Sequence, residues 1–432
     1  MEITIHGKVY NLKNYKHPGG NEILKLCENE NDCTALFESY HAFSDMKKIK
    51  MTMKKYEKRD SHTKNEFSFK PDGFYYTCKK RVNKLFTNKK SIKANIEWYK
   101  TVLCSIFLFI MFQFFVLFFQ TGIIKCIMSI GSGITLVSIG YNILHDGSHY
   151  GISQYVFINN ILSRIIQGMC LWNHTLWSYH HCIRHHQYTG DIEKDPDMIN
   201  SRPFLRKSKQ IRPRKSEFTK ILLSFKTVLF NTIYPGTALG QTIMYHVYWI
   251  NYRKLWKMDL PKHFGGLWDI FQYIISFCFV IFELCYGGLL YFYLHLVGMN
   301  IGYFIGSAPD HDMYPNHLQI EEHNKEQSEQ SEQSEQYIIK DWGEIQVKHS
   351  GNFMSNYPLF TRFYGGINYQ IEHHLFPTLN NHKLVEISSI VKECCKEFNI
   401  PYVCIDNPID VFKQVCKSYY DVHSNKLHMR NH

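Results

Sequence analysis

Apolar residues are gathered into long runs in this chain. From Val102 to Ile124 the sequence reads VLCSIFLFIMFQFFVLFFQTGII, without a charge, which is long enough to cross a hydrocarbon layer that needs about 20 residues. After Lys125, the stretch Cys126 to Leu144 is again uncharged and rich in Gly and Ser, as helix contacts in lipid tend to be. The two predict a tight transmembrane hairpin. A second pair, Ile270 to Tyr286 and Gly288 to Ile305, is interrupted by Glu283 and His295 and predicts another. Val156 to Leu171 and Ile221 to Tyr248 are apolar but broken, so they read as interfacial or packed helices.

The start of the chain is different. Met1 to Glu66 is polar, with a strand-like beginning (Ile3 to Leu12), the turn HPGG and two short helical patterns, which predicts a small soluble domain over residues 1–66. A basic linker is expected over 67–100 and a membrane domain over 101–432. Within it, EEHNKEQSEQSEQSEQ at residues 321–336 reads as a disordered, low-complexity insertion. The fold class that follows is an α-helical integral membrane protein of four spans in two hairpins, with a cytosolic helical cap and a small N-terminal domain.

Charge supplies the orientation. The chain of 432 residues has a formal net charge of +11, and its basic residues are scattered beside apolar runs, which suits an anionic membrane surface better than nucleic acid. Lys79, Lys80, Arg81, Lys84, Lys89, Lys90, Lys93 and Lys100 precede the first run, and Arg202 to Lys226 holds another cluster. By the positive-inside rule both termini and the long middle segment Tyr150 to Trp268 face the cytosol. Thirteen scattered cysteines without a CxxC pair point to a reducing compartment. The N-terminus lacks the pattern of a cleaved secretory peptide.

Histidine carries the chemistry. HPGG puts His17 in a tight turn where backbone can approach a flat ligand, and His41 follows in DCTALFESYH. HDGSH, just after the second run, sets His145 and His149 four apart, on one face of a helix. WSYHHCIRHHQY offers His181, His185 and His186 beside His180, and QIEHH offers His373 and His374 behind Gln370. Seven imidazoles brought to one membrane face exceed what one ion accepts, so two metals are implied. Imidazole-rich sites suit iron, copper or zinc, and one meant to activate oxygen beside an apolar chain would favour iron through redox need.

The segment from His17 to His41 resembles cytochrome b5. With the HxxxH and HxxxHH boxes and a third box led by Gln, nearly the whole chain is similar to a membrane fatty acid desaturase of the front-end group. The resemblance implies a haem b ligated by His17 and His41. It also implies a di-iron centre on His145, His149, His181, His185, His186, His373 and His374, which uses O2 and two electrons to remove two hydrogens from an acyl chain. Gln370 takes an altered box position, as a ligand or as a group orienting one. His311, past the fourth span, is a further candidate ligand. His180 and His174 are expected in structural hydrogen bonds. Asp146, Asp191, Asp195 and Asp197 could polarise ligand imidazoles, with a solvated loop expected for the last three. Trp172 and Trp177 would line the acyl tunnel or anchor at the interface. Arg184 and Gly190 depart from the family pattern and bear on head-group contacts.

Partners implied are an acyl-CoA or phospholipid-bound acyl chain, O2, an NADH-dependent cytochrome b5 reductase and membrane lipid, without nucleic acid, in the endoplasmic reticulum membrane. Alternatives are a sphingolipid long-chain-base desaturase, a lipid hydroxylase and a non-catalytic membrane electron carrier.

Overall fold

The structure, a computed structural model, describes residues 1–28, 30–61, 65–86, 88, 90–118, 121–201, 207–209, 254–255, 258–259, 266–333 and 339–424. Among these, four helices are long and apolar enough to cross a membrane: Ile96–Phe118, Ile123–Ser148, Leu267–Gly287 and Leu289–Asp312. Leu103, Phe107, Ile110 and Phe114 on the first helix stay at least half exposed. They recur at helical spacing, forming an apolar stripe with lipid as its natural cover. The second and fourth helices pack backbone to backbone. A methyl group on Gly298 would overlap the Ile130 carbonyl, and one on Gly133 the His295 carbonyl, the small-residue contact typical of lipid-embedded helices.

The helix ends differ from the apolar runs. The first helix starts at Ile96 because Trp98 is buried and donates its indole N–H to Asp146 at 3.0 Å. Lys125, expected in the turn, lies inside the second helix with its ammonium 4.3 Å from the Tyr291 ring centre. The Val156–Met169 helix packs on the third span and on the end of the second. Ile221 to Tyr248 lies outside the described residues.

The N-terminal domain is a three-stranded antiparallel sheet in the order β1 (Glu2–Ile5), β2 (Lys8–Asn11), β3 (Glu57–Asp60), with helices Asn21–Leu26, Thr34–Tyr40 and Met46–Met53. His6 and Gly7, both at positive φ, make the two-residue turn between β1 and β2. Its core of Ile3, Ile5, Leu36 and Phe37 continues into Leu176, Tyr179 and Ile183 of the second histidine box. The domain is therefore seated on the membrane domain.

One segment takes a form the sequence left open, and one expectation is corrected. The basic linker folds in part as a helix, Phe74–Val82, whose Phe74, Tyr75, Cys78 and Val82 are buried against Trp342, Leu375 and Leu384 of the cap. Over residues 321–333, the repeat expected to be disordered continues the helix Tyr314–Gln333. Glu and Gln are good helix formers, and Asn324 anchors the start of the repeat by donating to the Gly190 carbonyl at 2.9 Å.

Candidate metal centre and haem pocket

The second span does not end as a plain α-helix. Gly140–His145 forms a π turn, and Ser178–His185 forms another in the second box. In an α-helix, residues five apart sit about 140° apart around the axis. The wider π turn, bonded i to i+5, brings His181 and His186 to one side, and their Nε2 atoms lie 3.3 Å apart. The third box is the short helix Gln370–Leu375.

These segments bring all seven box histidines together. One group holds His145, His149, His181 and His373, and a second holds His185, His311 and His374; ligating atoms within each lie within 4.8 Å of one another. His186 stands between them: its Nε2 is 3.1 Å from that of His373, and its ring stacks on His374 with centres 4.3 Å apart. His311 joins the second group, 3.2 Å from His185 between Nε2 atoms. Gln370 places its amide nitrogen 3.1 Å from Nε2 of both His311 and His374, while its buried oxygen has no partner.

The spacing tests whether metal fits. Imidazole nitrogens about 2.0–2.1 Å from one ion lie about 2.9 Å apart in octahedral and about 3.4 Å in tetrahedral coordination. The Nε2 pairs span this range, from 2.9 Å for His145 and His181 to 3.3 Å for His181 and His186. Burial holds His149, His181, His186, His373 and His374 far toward the neutral form, the form that ligates metal. Two adjoining clusters of this kind suit two ions.

Neighbours fix the rings from behind. Asp195 faces His185 Nδ1 through both oxygens, at 3.0 and 3.2 Å, and Asp197 lies 3.4 Å away. Burial opposes a proton on His185, but the two carboxylates outweigh it and its pKa rises. His374 Nδ1 lies 2.8 Å from Gln346 Oε1 and 3.1 Å from the Thr189 hydroxyl. His311 Nδ1 meets the His349 carbonyl at 2.8 Å, and His145 Nδ1 lies 3.1 Å from the Asn381 amide. Gln346, His349 and Asn381 were not foreseen. Asn381 had one faint signal, its place in the polar run TLNNHK soon after the third box.

Other candidates take structural places. His180 bonds Asp197 at 2.6 Å and His174 bonds Ser163 at 3.1 Å. Asp195 is buried rather than in a solvated loop, and Asp191 accepts the amides of Glu193 and Lys194. Asp146 touches no ligand imidazole; it holds Trp98, Asn380 and the Asn381 amide. Trp172 and Trp177 are buried and stacked, with Trp177 lying flat on His181 at 4.7 Å between centres. Trp177 walls the site and Trp172 backs it. Arg184 pairs with Glu30 of the N-terminal domain at 2.8 Å. Gly190, at φ +80°, has no room for a Cβ against the His349 ring. Both departures therefore serve architecture.

In the N-terminal domain the His17 and His41 rings are 5.9 Å apart between centres, with planes at 87°. That is close to the roughly 6 Å expected for two imidazoles bound to opposite sides of one ion at about 2 Å each. His41 Nδ1 faces the Phe37 carbonyl at 2.9 Å, which leaves Nε2 to ligate. A Cβ on Gly19 would lie 2.8 Å from the His17 ring, so the turn needs glycine there. Half-buried Ile23, Leu24, Met46 and Met53 supply apolar neighbours.

Comparison with known proteins gives the family of each part of the chain. The fatty acid desaturase family model matches residues 121–406, and the cytochrome b5-like haem/steroid binding domain model matches residues 2–61. Acyl-lipid (8-3)-desaturase B of Dictyostelium discoideum is 27% identical, over 93% of this chain and 86% of its own length. The acyl-lipid (8-3)-desaturase of Mortierella alpina is 26% identical, over 94% and 90%. Delta(8)-fatty-acid desaturase 2 of Arabidopsis thaliana is 22% identical, over 93% and 85%.

Proposed function

Since this chain belongs to the fatty acid desaturase family and carries a cytochrome b5-like domain, we propose that His145, His149, His181, His185, His186, His311, His373 and His374 hold its two irons and that His17 and His41 hold its haem. The protein is an oxygen-dependent, front-end type membrane desaturase acting on lipid-linked acyl chains. When bound, the haem and the two irons supply one-electron transfer and the oxygen chemistry strong enough to take hydrogen from an unactivated methylene.

The side chains do the rest. Asp195 keeps a proton on His185 Nδ1 so that Nε2 faces the metal, and Gln346 and Thr189 fix His374 in the same sense. Gln370, with its amide turned over, would present the orphaned oxygen between His311 and His374. The seven box histidines are buried and the Trp177 ring lies over His181, which keeps water from the reacting carbons.

The acyl chain would enter between the hairpins with its carboxyl end near the boxes, carried on a membrane lipid, as the names of the relatives suggest for themselves. Electrons would come from an NADH-dependent cytochrome b5 reductase. The membrane would be that of the endoplasmic reticulum, crossed four times, with boxes and termini on the cytosolic side, a reading supported by the lysines before the first span.

The observation that carries the reading is the pair of adjoining imidazole clusters with nitrogens at metal-edge spacing. The test is expression in a host without polyunsaturated lipids, fed single fatty acids, with double bonds located by mass spectrometry. A product two hydrogens lighter is expected, and its loss in His373→Ala with His374→Ala while the haem spectrum stays intact. A product heavier by one oxygen, or unchanged product in the double variant, would overturn it.

A further inference from the structure

Tyr40 is the last residue of its helix and stands immediately before His41. Its hydroxyl reaches across to the membrane domain, 2.8 Å from His149 Nδ1 and 3.2 Å from the Cys182 carbonyl. A carbonyl only accepts, so the phenol proton goes to Cys182 and the phenol oxygen accepts Nδ1–H of His149. This leaves Nε2 of His149 to ligate. One hydroxyl thus touches the first box, the second box and the segment that carries a haem ligand.

We propose that Tyr40 is the positioning residue that joins the haem domain to the metal centre, fixing the His149 tautomer and holding the two centres at a set separation for electron delivery. The proposal rests on the ligand assignment given under Proposed function. Separate contacts seat the domain around it. Glu30 pairs with Arg184 at 2.8 Å and accepts from the Tyr179 hydroxyl at 3.1 Å. Gln187 donates to the Asp32 carbonyl at 2.6 Å, and Arg164 donates to Glu22 at 3.2 Å. The apolar core is shared across the same face through Leu176, Tyr179 and Ile183.

The covalent and hydrogen-bonded connection is short: His41, its neighbour Tyr40, and one hydrogen bond to His149. Along it an electron would pass from the haem that His17 and His41 would hold to an iron that the box histidines would hold, one charge lost and one gained, with no atom moving. Two cross per double bond, supplied by the reductase. Together with two protons from water and the two hydrogens leaving the acyl chain, they take O2 to two water molecules.

The test uses the full-length, haem- and iron-loaded protein in lipid discs. In Tyr40→Phe the haem absorption spectrum and, with iron in excess, the ratios of haem and iron to chain are expected to match wild type, while a chelator removes iron about tenfold more readily. Reoxidation of the pre-reduced haem in the presence of O2 and acyl lipid, followed by stopped flow, is expected to slow tenfold or more. A rate within twofold of wild type would overturn the proposal. Should Tyr40→Phe lose haem, Glu30→Gln serves instead: it touches neither centre, loosens the seating, and is expected to slow the same step at least threefold, an unchanged rate again refuting the idea. Failure of the underlying reading shows separately, as wild-type protein without non-haem iron or without an unsaturated product.

Discussion

Asp195→Asn offers a sharp test of the metal centre. The side chain is buried and faces His185 Nδ1 with both oxygens, while also accepting the Gly190 amide at 2.7 Å and the Asp197 amide at 2.9 Å. Replacing one oxygen by NH2 removes the charge that makes His185 a stronger donor. Losing the partner of a metal-bound imidazole weakens metal affinity about 10- to 100-fold, or about 1.4–2.8 kcal/mol at about 1.4 per tenfold. Asp197, 3.4 Å from the same nitrogen, keeps one carboxylate nearby, so the single variant should lie near tenfold and Asp195→Asn with Asp197→Asn near 100-fold. The amide also turns an N–H toward a backbone donor, costing about 1–3 kcal/mol of fold stability. Iron affinity would be measured by chelator competition, with haem per chain as internal standard. An iron dissociation constant within twofold of wild type in the double variant, with haem intact, would refute the role given to these carboxylates.

Other outcomes follow from the same geometry. His149, His181, His186, His373 and His374 are held neutral when folded but accept protons near pH 6.5 when unfolded. Iron-free protein should therefore lose stability as pH falls below about 6.5, because the unfolded chain then binds protons that the folded cluster refuses. A melting temperature flat between pH 7 and 5 would contradict this. His185 has the opposite sign: its raised pKa stabilises at low pH and that contribution fades as pH rises past it. Gly298→Val should separate the second and fourth spans, costing about 1–3 kcal/mol or more, read as a lower melting temperature in detergent. Gly190→Ala combines positive φ with a clash on His349, whose carbonyl holds His311, and should lower bound iron per haem while leaving haem content unchanged.

Much of this was legible in the sequence because it rests on local spacing. The uncharged runs gave the four spans, and HPGG with His41, HDGSH, HHCIRHH and QIEHH gave the histidines. What spacing could not give was what depends on distant chain or on departures from α geometry. The helix start at Ile96 follows from the bond between Trp98 and Asp146, 48 positions apart. Counting at 3.6 residues per turn also misplaces His186 relative to His181, since the π turn is invisible to α periodicity. Gln346, Asn381 and Tyr40 meet ligands far along the chain and belong to no periodic pattern. The repeat misled through composition over residues 321–333, because a polar stretch that starts on an anchored helix inherits its nucleus.

The two wide turns carry a consequence for how this polypeptide can vary. Each stores a surplus residue within one coil of helix, and that surplus sets which rings point inward. Deleting a single position between Ser178 and His185 would let the backbone relax to ordinary α winding with the flanking coils still in phase, whereas a deletion in a plain helix turns every later side chain by about 100°. Substitution on the outer surface of these coils leaves the count intact. Drift should thus tolerate a one-residue gap within these wide coils better than in the straight helices that lead into them, and a designer wishing to misdirect the rings would cut one residue from the plain α winding instead.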